Sequence, residues 1–218
     1  MSITNYTNLQ TEIAQWLNRD DLTSAIPTFI QLAETQFNRD IRHWRQEVRS
    51  SGQQSAGDEY MQIPNDWLEN IRFQVTSVTP PGGSITGKVQ PIDLISRAAM
   101  LDKRSGANDM SGTPRYYCMA DSQFHLYPTP DALTEVELLY YAKIPALSVS
   151  NTTNWLLEYA PDAYLYGSLL HSAPYLQEDA RSAVWAQMYS AVIQRINQES
   201  EQARYSGSGL TFKVRGLG

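Results

Sequence analysis

Gly82 to Val89 reads GGSITGKV, which fits the G-x-x-x-x-G-K spacing of a phosphate-binding loop. In such a loop backbone N–H groups cradle phosphates, the Lys reaches the outer ones, and a Ser or Thr after the Lys holds Mg²⁺. Here Val89 stands where the hydroxyl is needed, and Pro91 follows where a helix should begin. Without that helix N-terminus there is no anion site, so the stretch reads as a hairpin tip. His43, His125 and His171 are far apart and none has metal-ligand spacing; His125, alternating with strand neighbours, and His171, late in a helix, read as structural. Cys118, the single cysteine, has no partner for an internal disulfide and reads as an inert buried thiol. The acid pairs Asp20-Asp21, Asp58-Glu59 and Glu178-Asp179 are sequence neighbours. Neighbours do not face one another as a glycosidase pair must, and turn or cap roles explain them. There is no G-x-S-x-G elbow. No catalytic, cofactor-binding or metal-binding residue is expected.

Arg39, Arg42, Arg45 and Arg49 are different, because their spacing puts them along one flank of a helix read from Ile26 through Val48. That flank lies roughly 60–180° from the helix's apolar stripe. One reading is a solvated face with cations near a helix C-terminus. The other is an interface, to protein rather than DNA: four Arg and no Lys suit bidentate pairing with carboxylates, and the chain is acidic, with net charge −6. That charge also argues against nonspecific binding to a phosphate backbone.

The elements that would carry these residues follow from periodicity. Leu9, Ile13, Trp16 and Leu17 form an amphipathic helix. Ile26, Ile30, Ala33, Phe37, Ile41, Trp44 and Val48 form a second stripe, with Pro27 tolerable in its first turn. The middle changes to strand period in EYMQI, IRFQVTSV, RYYCMA, QFHLYP and EVELLYYAKI. RYYCMADSQFHLYP reads as a hairpin turning at Asp121-Ser122, with Phe124 and Leu126 on one face and His125 and Tyr127 on the other. PIDLISRAAMLD reads as a short helix and KRSGANDMSGTP as an exposed loop.

Helices return with Pro161 at a first helical position, Pro174 as a stop or kink, and Glu178-Asp179 opening a long helix. In that long helix Trp185, Met188, Tyr189, Val192 and Ile196 share a face. The aromatic-rich stretch Thr153–Leu176 is broken by Asn154, Glu158, Pro161, Asp162 and Ser168. It therefore packs rather than crossing a bilayer, and the first residues do not read as a signal peptide.

The fold class is α+β: a helical bundle from N- and C-terminal helices with an inserted β-rich region and an extended C-terminal tail. The expected divisions are 1–50 for N-terminal helices, 51–150 for the β-rich insertion with one short helix, 151–205 for C-terminal helices, and 206–218 for a flexible tail. In that tail Leu210, Phe212 and Val214 alternate with polar or basic residues, including Lys213 and Arg215, and no acid is present. It reads either as a disordered end or as a strand that orders on a partner through Phe212, Lys213, Val214 and Arg215.

Five segments in order carry a family resemblance: DDLTSAIPTFIQLAETQFNRDIR, IPNDWLE, GTPRYYCMADSQFHLYPTP, VELLYYAKIPALS and TNWLLEYAPDAYLYGSLLHSAPYL. Together they resemble the head-to-tail adaptor (connector) proteins of tailed bacteriophages, from Leu9 to about Tyr205. The resemblance implies a structural virion protein without catalytic residues or cofactors, made in the host bacterial cytoplasm and located at the head–tail junction. It implies a dodecameric homo-oligomeric ring beneath the portal protein and above the tail nozzle protein. DNA would pass through the bore without specific binding, and no membrane is involved. The tail would then dock on the portal. The alternatives are another tail-completion or nozzle component, or a virion-associated cell-wall hydrolase.

Overall fold

A computed structural model describes residues 2–87, 89–106, 110–176 and 181–206. The chain divides into a helical unit, Met1–Arg45 with Ile144–Gly218, and a strand unit, Gln46–Lys143.

The helical unit contains α1 (Tyr6–Leu17), α2 (Ile26–Asp40), α4 (Trp155–Tyr159), α5 (Pro161–Leu176) and α6 (Ser182–Tyr205); α3 belongs to the strand unit. The Asn5 side chain starts α1 by accepting the Asn8 N–H at 2.9 Å, and Asn18 ends it in the left-handed region at φ 52°. Leu9, Ile13 and Leu17 from α1 join Phe29, Ile30, Ala33 and Phe37 from α2 in one core with Leu156, Tyr164, Leu169, Trp185 and Tyr189. Trp16 does not join them: it is 43% exposed and lies edge-on to Tyr166. On α5, Gly167 permits a close approach, since a Cβ there would lie 3.0 Å from the Phe37 ring and 3.2 Å from the Ala33 methyl. Pro174 lies within α5 near its end, so only the last turn must accommodate the missing N–H.

In α6 the buried face is Trp185, Tyr189, Ile193 and Ile196, with Val192 partly buried. Met188 was expected on this face but is 40% exposed. Glu178 and Asp179 lie outside the described residues.

The second helix is shorter than its apolar stripe predicts. α2 stops at Asp40, and Ile41 is extended at φ −103°, ψ 130°. Trp44–Gln46 form a 3₁₀ turn and Val48 already belongs to strand β1 (Glu47–Gln54). The stripe failed because Ile41, Trp44 and Val48 keep helical spacing by coincidence, while α6 supplies a competing set of hydrogen bonds described below.

The strand unit holds two four-stranded sheets, ordered β1-β8-β3-β4 and β2-β7-β6-β5. The strands are β2 (Tyr60–Gln62), β3 (Trp67–Thr79), β4 (Gln90–Pro91), β5 (Asp93–Leu94), β6 (Tyr116–Ala120), β7 (Gln123–Tyr127) and β8 (Leu133–Ala142). β6 and β7 form the expected hairpin, with Ala120 opposite Gln123 and Asp121 at φ 59°. Asp tolerates this left-handed position better than most residues. Phe73, Val75, Val136 and Leu138 of one sheet meet Tyr117, Phe124 and Leu126 of the other in a single core. Phe73 lies 5.3 Å from Tyr117 and 5.4 Å from Phe124, ring to ring.

The short helix starts later than its sequence suggests. α3 is Arg97–Gly106, while Pro91, Asp93 and Leu94 are edge-strand residues. Ser96 sets the start by accepting the Ala99 N–H at 3.1 Å, a side-chain cap. Met100 anchors α3 against Cys118 and Tyr127.

Candidate functional site

Residues 40–45 are where the chain leaves α2 of the helical unit. Asn197 of α6 accepts the Arg42 N–H at 3.0 Å and donates to the Asp40 carbonyl at 2.9 Å. Ser200, one turn on, accepts the Trp44 N–H at 3.0 Å. These bonds replace the helical ones and fix an extended segment along α6. Ile41 and His43 therefore turn inward, at 0% and 2% exposure, while Trp44 and Arg45 face out.

His43 is the centre of an aromatic cluster. Its ring stacks on Trp155 at 5.2 Å and 23°, and meets Trp44 at 5.4 Å and Tyr159 at 5.5 Å. Its Nδ1 accepts the Arg45 N–H at 3.2 Å. Burial, then the Arg45 charge, lowers the imidazole pKa, while Glu199 opposes them and Arg204 adds to the lowering. The Arg45 guanidinium lies 4.8 Å from the Tyr159 ring centre and 5.3 Å from that of Trp44. Tyr159 donates to Glu199, which also accepts from Arg195 at 2.8 Å. The hydrogen bond to Glu199 raises the Tyr159 pKa, and the Tyr159 hydroxyl followed by Arg195 lowers that of Glu199. The cluster leaves the Arg45 guanidinium and the rings of Trp44 and Tyr159 exposed at the surface.

A buried network holds the returning chain. Glu34 of α2 accepts the Leu147 N–H at 2.7 Å and the Tyr164 hydroxyl at 3.2 Å. Asn154 donates to the Tyr164 oxygen at 2.6 Å and to the Pro145 carbonyl at 2.7 Å, and caps α4 through the Leu157 N–H at 2.9 Å. Asn38 accepts the Ile144 N–H at 2.9 Å. Desolvation raises the Glu34 pKa against these donors and pushes the Tyr164 hydroxyl far above its usual range.

The four arginines expected on one helical flank do not share it. Arg39 is exposed on the last turn of α2. Arg42 donates to the carbonyls of Asn38 and Ile41 at 2.9 and 2.8 Å, covering the helix end. Arg45 sits on aromatic rings, and Arg49, on β1 in the strand unit, pairs with Glu137. The flank broke because the helix ends at Asp40. Phe212, Lys213, Val214 and Arg215 lie outside the described residues. The cluster of His43, Trp155, Tyr159 and Glu199 was missed. Its signal in the sequence was the two-residue alternation of Ile41 and His43 with Arg42 and Trp44.

The residues considered for chemistry have other partners. His125 stacks on Tyr60 at 4.6 Å, with its Nε2 3.5 Å from Glu59. Glu59 also takes Arg104 at 2.5 Å and Thr129 at 3.2 Å. His171 is 2.9 Å from Gln36, and burial lowers its pKa. Burial likewise raises the Cys118 thiol. Asp21 pairs with Arg19, whose hydrogen bond lowers its carboxyl to about 2. Thr86 pairs with Val78, so GGSITGKV follows β3 as a turn with Gly82 at φ 72°; Lys88 lies outside the described residues. Among the described residues no group of three or more His, Cys, Asp or Glu could hold a metal, and no helix is long and apolar enough to cross a membrane. A cleft of about 720 Å³ in the strand unit has Asp131 as the single acid among its lining residues.

No curated protein matches the chain. The family described as SU10 adaptor protein matches residues 4–211, spanning both units.

Proposed function

This chain belongs to the SU10 adaptor protein family, and on that premise we propose that it is a phage head-to-tail adaptor. Copies close into a ring, a dodecamer as the family resemblance implies, between the portal and the tail nozzle at the head–tail junction of the virion. The protein is structural and not an enzyme. DNA passes through the bore without specific contacts, and net charge −6 supports this because an acidic wall does not retain phosphate. The family match across both units is the observation that carries the reading.

Within the ring, Arg39 and Arg45 meet acidic groups of a neighbouring subunit or of the portal. Both are exposed, whereas Arg42 and Arg49 already serve helix-end and cross-strand contacts. Mixing the purified chain with portal rings and imaging the product tests the proposal. A closed ring seated on the portal is expected, and chains that never join portal or one another would overturn it. Arg39→Glu with Arg45→Glu should leave the monomer folded and abolish ring closure.

A further inference from the structure

The two sheets of the strand unit have four edge strands, and three of them are blunted. β2 has three residues, β5 has two, and β4 has two, one of them Pro91. Short strands and prolines are the ordinary ways to keep a sheet edge from recruiting another strand. β1 is the exception. It runs eight residues, Glu47–Gln54, paired to β8 in unbroken register from Glu47 opposite Tyr141 to Gln54 opposite Thr134. It holds no proline, no bulge interrupts it, and Val48, Arg49, Ser51 and Gln53 are exposed.

An occupant of this edge is written in the same chain. Leu210, Phe212 and Val214 alternate with Thr211, Lys213 and Arg215, which is strand period. Laid beside β1, the apolar set would extend the side of Val48, and the basic set the side where Glu135 and Glu137 stand on β8 opposite Gln53 and Ser51. The charges complement each other: Gln46–Lys143 holds twelve acids against eight basic residues, whereas residues 207–218 hold two basic residues and no acid. We propose that the β1 edge receives residues 210–217 of a second copy as an added strand, with main-chain bonds supplying affinity and alternate side chains the register. Edge and segment are different surfaces, so the contact is heterologous, the kind that closes a cyclic ring. The inference rests on the adaptor reading and names one of its subunit contacts.

The test uses a fluorescent peptide of residues 207–218 and full-length chain carrying Phe212→Asp with Val214→Asp, whose own segment cannot compete. Saturable binding is expected, weakened at least tenfold by Ser50→Pro or by Ser51→Pro. Along an antiparallel strand successive N–H groups alternate between partner and open side. One of the two prolines therefore removes an edge donor without touching the β8 ladder, and thermal melting identifies which. No binding, or binding that neither proline weakens, overturns the inference. As a second measurement, full-length Ser51→Cys and Thr211→Cys chains are mixed and oxidised. A disulfide between the two copies is expected, and its absence counts against the pairing. If the Asp variant fails to attach to portal rings while the peptide ignores this chain, the segment belongs on the portal. The strand-addition idea then falls and the adaptor reading stands.

Discussion

The helical and strand units deal with their polar groups in opposite ways. In the helical unit Glu34, Asn38, Asn154, Asn197 and Ser200 hold backbone groups of chain outside its α-helices. Its polar side chains are committed to fixing where the chain leaves and returns. The strand unit satisfies its backbone through ladders, fills its centre with Phe73, Tyr117 and Phe124, and leaves the donors and acceptors along β1 facing outward. Specificity inside is thus a side-chain property in one unit, and capacity for new partners is a backbone property in the other. The cores are separate clusters, so each can be perturbed by itself.

The largest test of that separation is a cavity in each. Phe37→Ala should cost the helical unit about 3–5 kcal/mol, and Phe124→Ala should cost the strand unit about the same. In calorimetry each substitution should move one transition and spare the other. If both transitions move together under either change, the units are one cooperative body and the comparison fails.

A smaller effect probes the committed polar network. Glu34→Ala leaves the Leu147 N–H and the Tyr164 hydroxyl without their acceptor and should cost about 1–3 kcal/mol, whereas Glu34→Gln keeps an acceptor there. The Glu34 pKa is raised above 4.5 in the folded chain. Between 4.5 and that higher value the folded state keeps a proton the unfolded state has released, so stability falls as pH rises through this window. Glu34→Gln should flatten that slope in urea titrations.

His43 gives the opposite sign. Its folded value lies below 6.5, so the unfolded state binds the extra proton, and stability rises with pH from the lowered value up to 6.5. His43→Phe should remove that rise from the helical unit; an unchanged profile would mean that the imidazole is not shielded as its stacking implies.

The smallest effects separate the arginines. Arg45→Ala should cost about 0.5–1 kcal/mol through lost contact with the Trp44 and Tyr159 rings. Arg49→Ala should cost at most about 1 kcal/mol, since its pair with Glu137 is exposed on the Arg side. A larger loss at Arg49 than at Arg45 would reverse the assignment of which cation its own unit uses more.

Much of the fold was legible where pattern and packing agree. Leu9, Ile13, Ile30 and Phe37 kept their predicted faces, and Asp121-Ser122 turned the hairpin because both strands and the turn residue favour it. The site was less legible. Ile41, Trp44 and Val48 continue the helical spacing past the point where the helix ends, and local spacing cannot reveal that Asn197 and Ser200, over 150 residues away, take the N–H groups of Arg42 and Trp44. The β1 run RSSGQQ carries no alternation of apolar and polar side chains. Its strand character comes from β8, so a reading of side-chain period passes over it.

The helical unit's two-piece construction has a consequence for the order in which the protein can be built. A ribosome completes the strand unit at Lys143, and by then every strand of its two sheets and every residue of its core has been made. The N-terminal helices emerge first but must wait, because Leu156, Tyr164, Leu169, Trp185 and Tyr189 are not yet made. Until then Leu9, Ile13, Phe29 and Phe37 lack most of their burial, and the earliest part of the chain is the last to become secure. Trigger-type holding chaperones should therefore engage residues 1–45 of the nascent chain, and release should coincide with the emergence of α6.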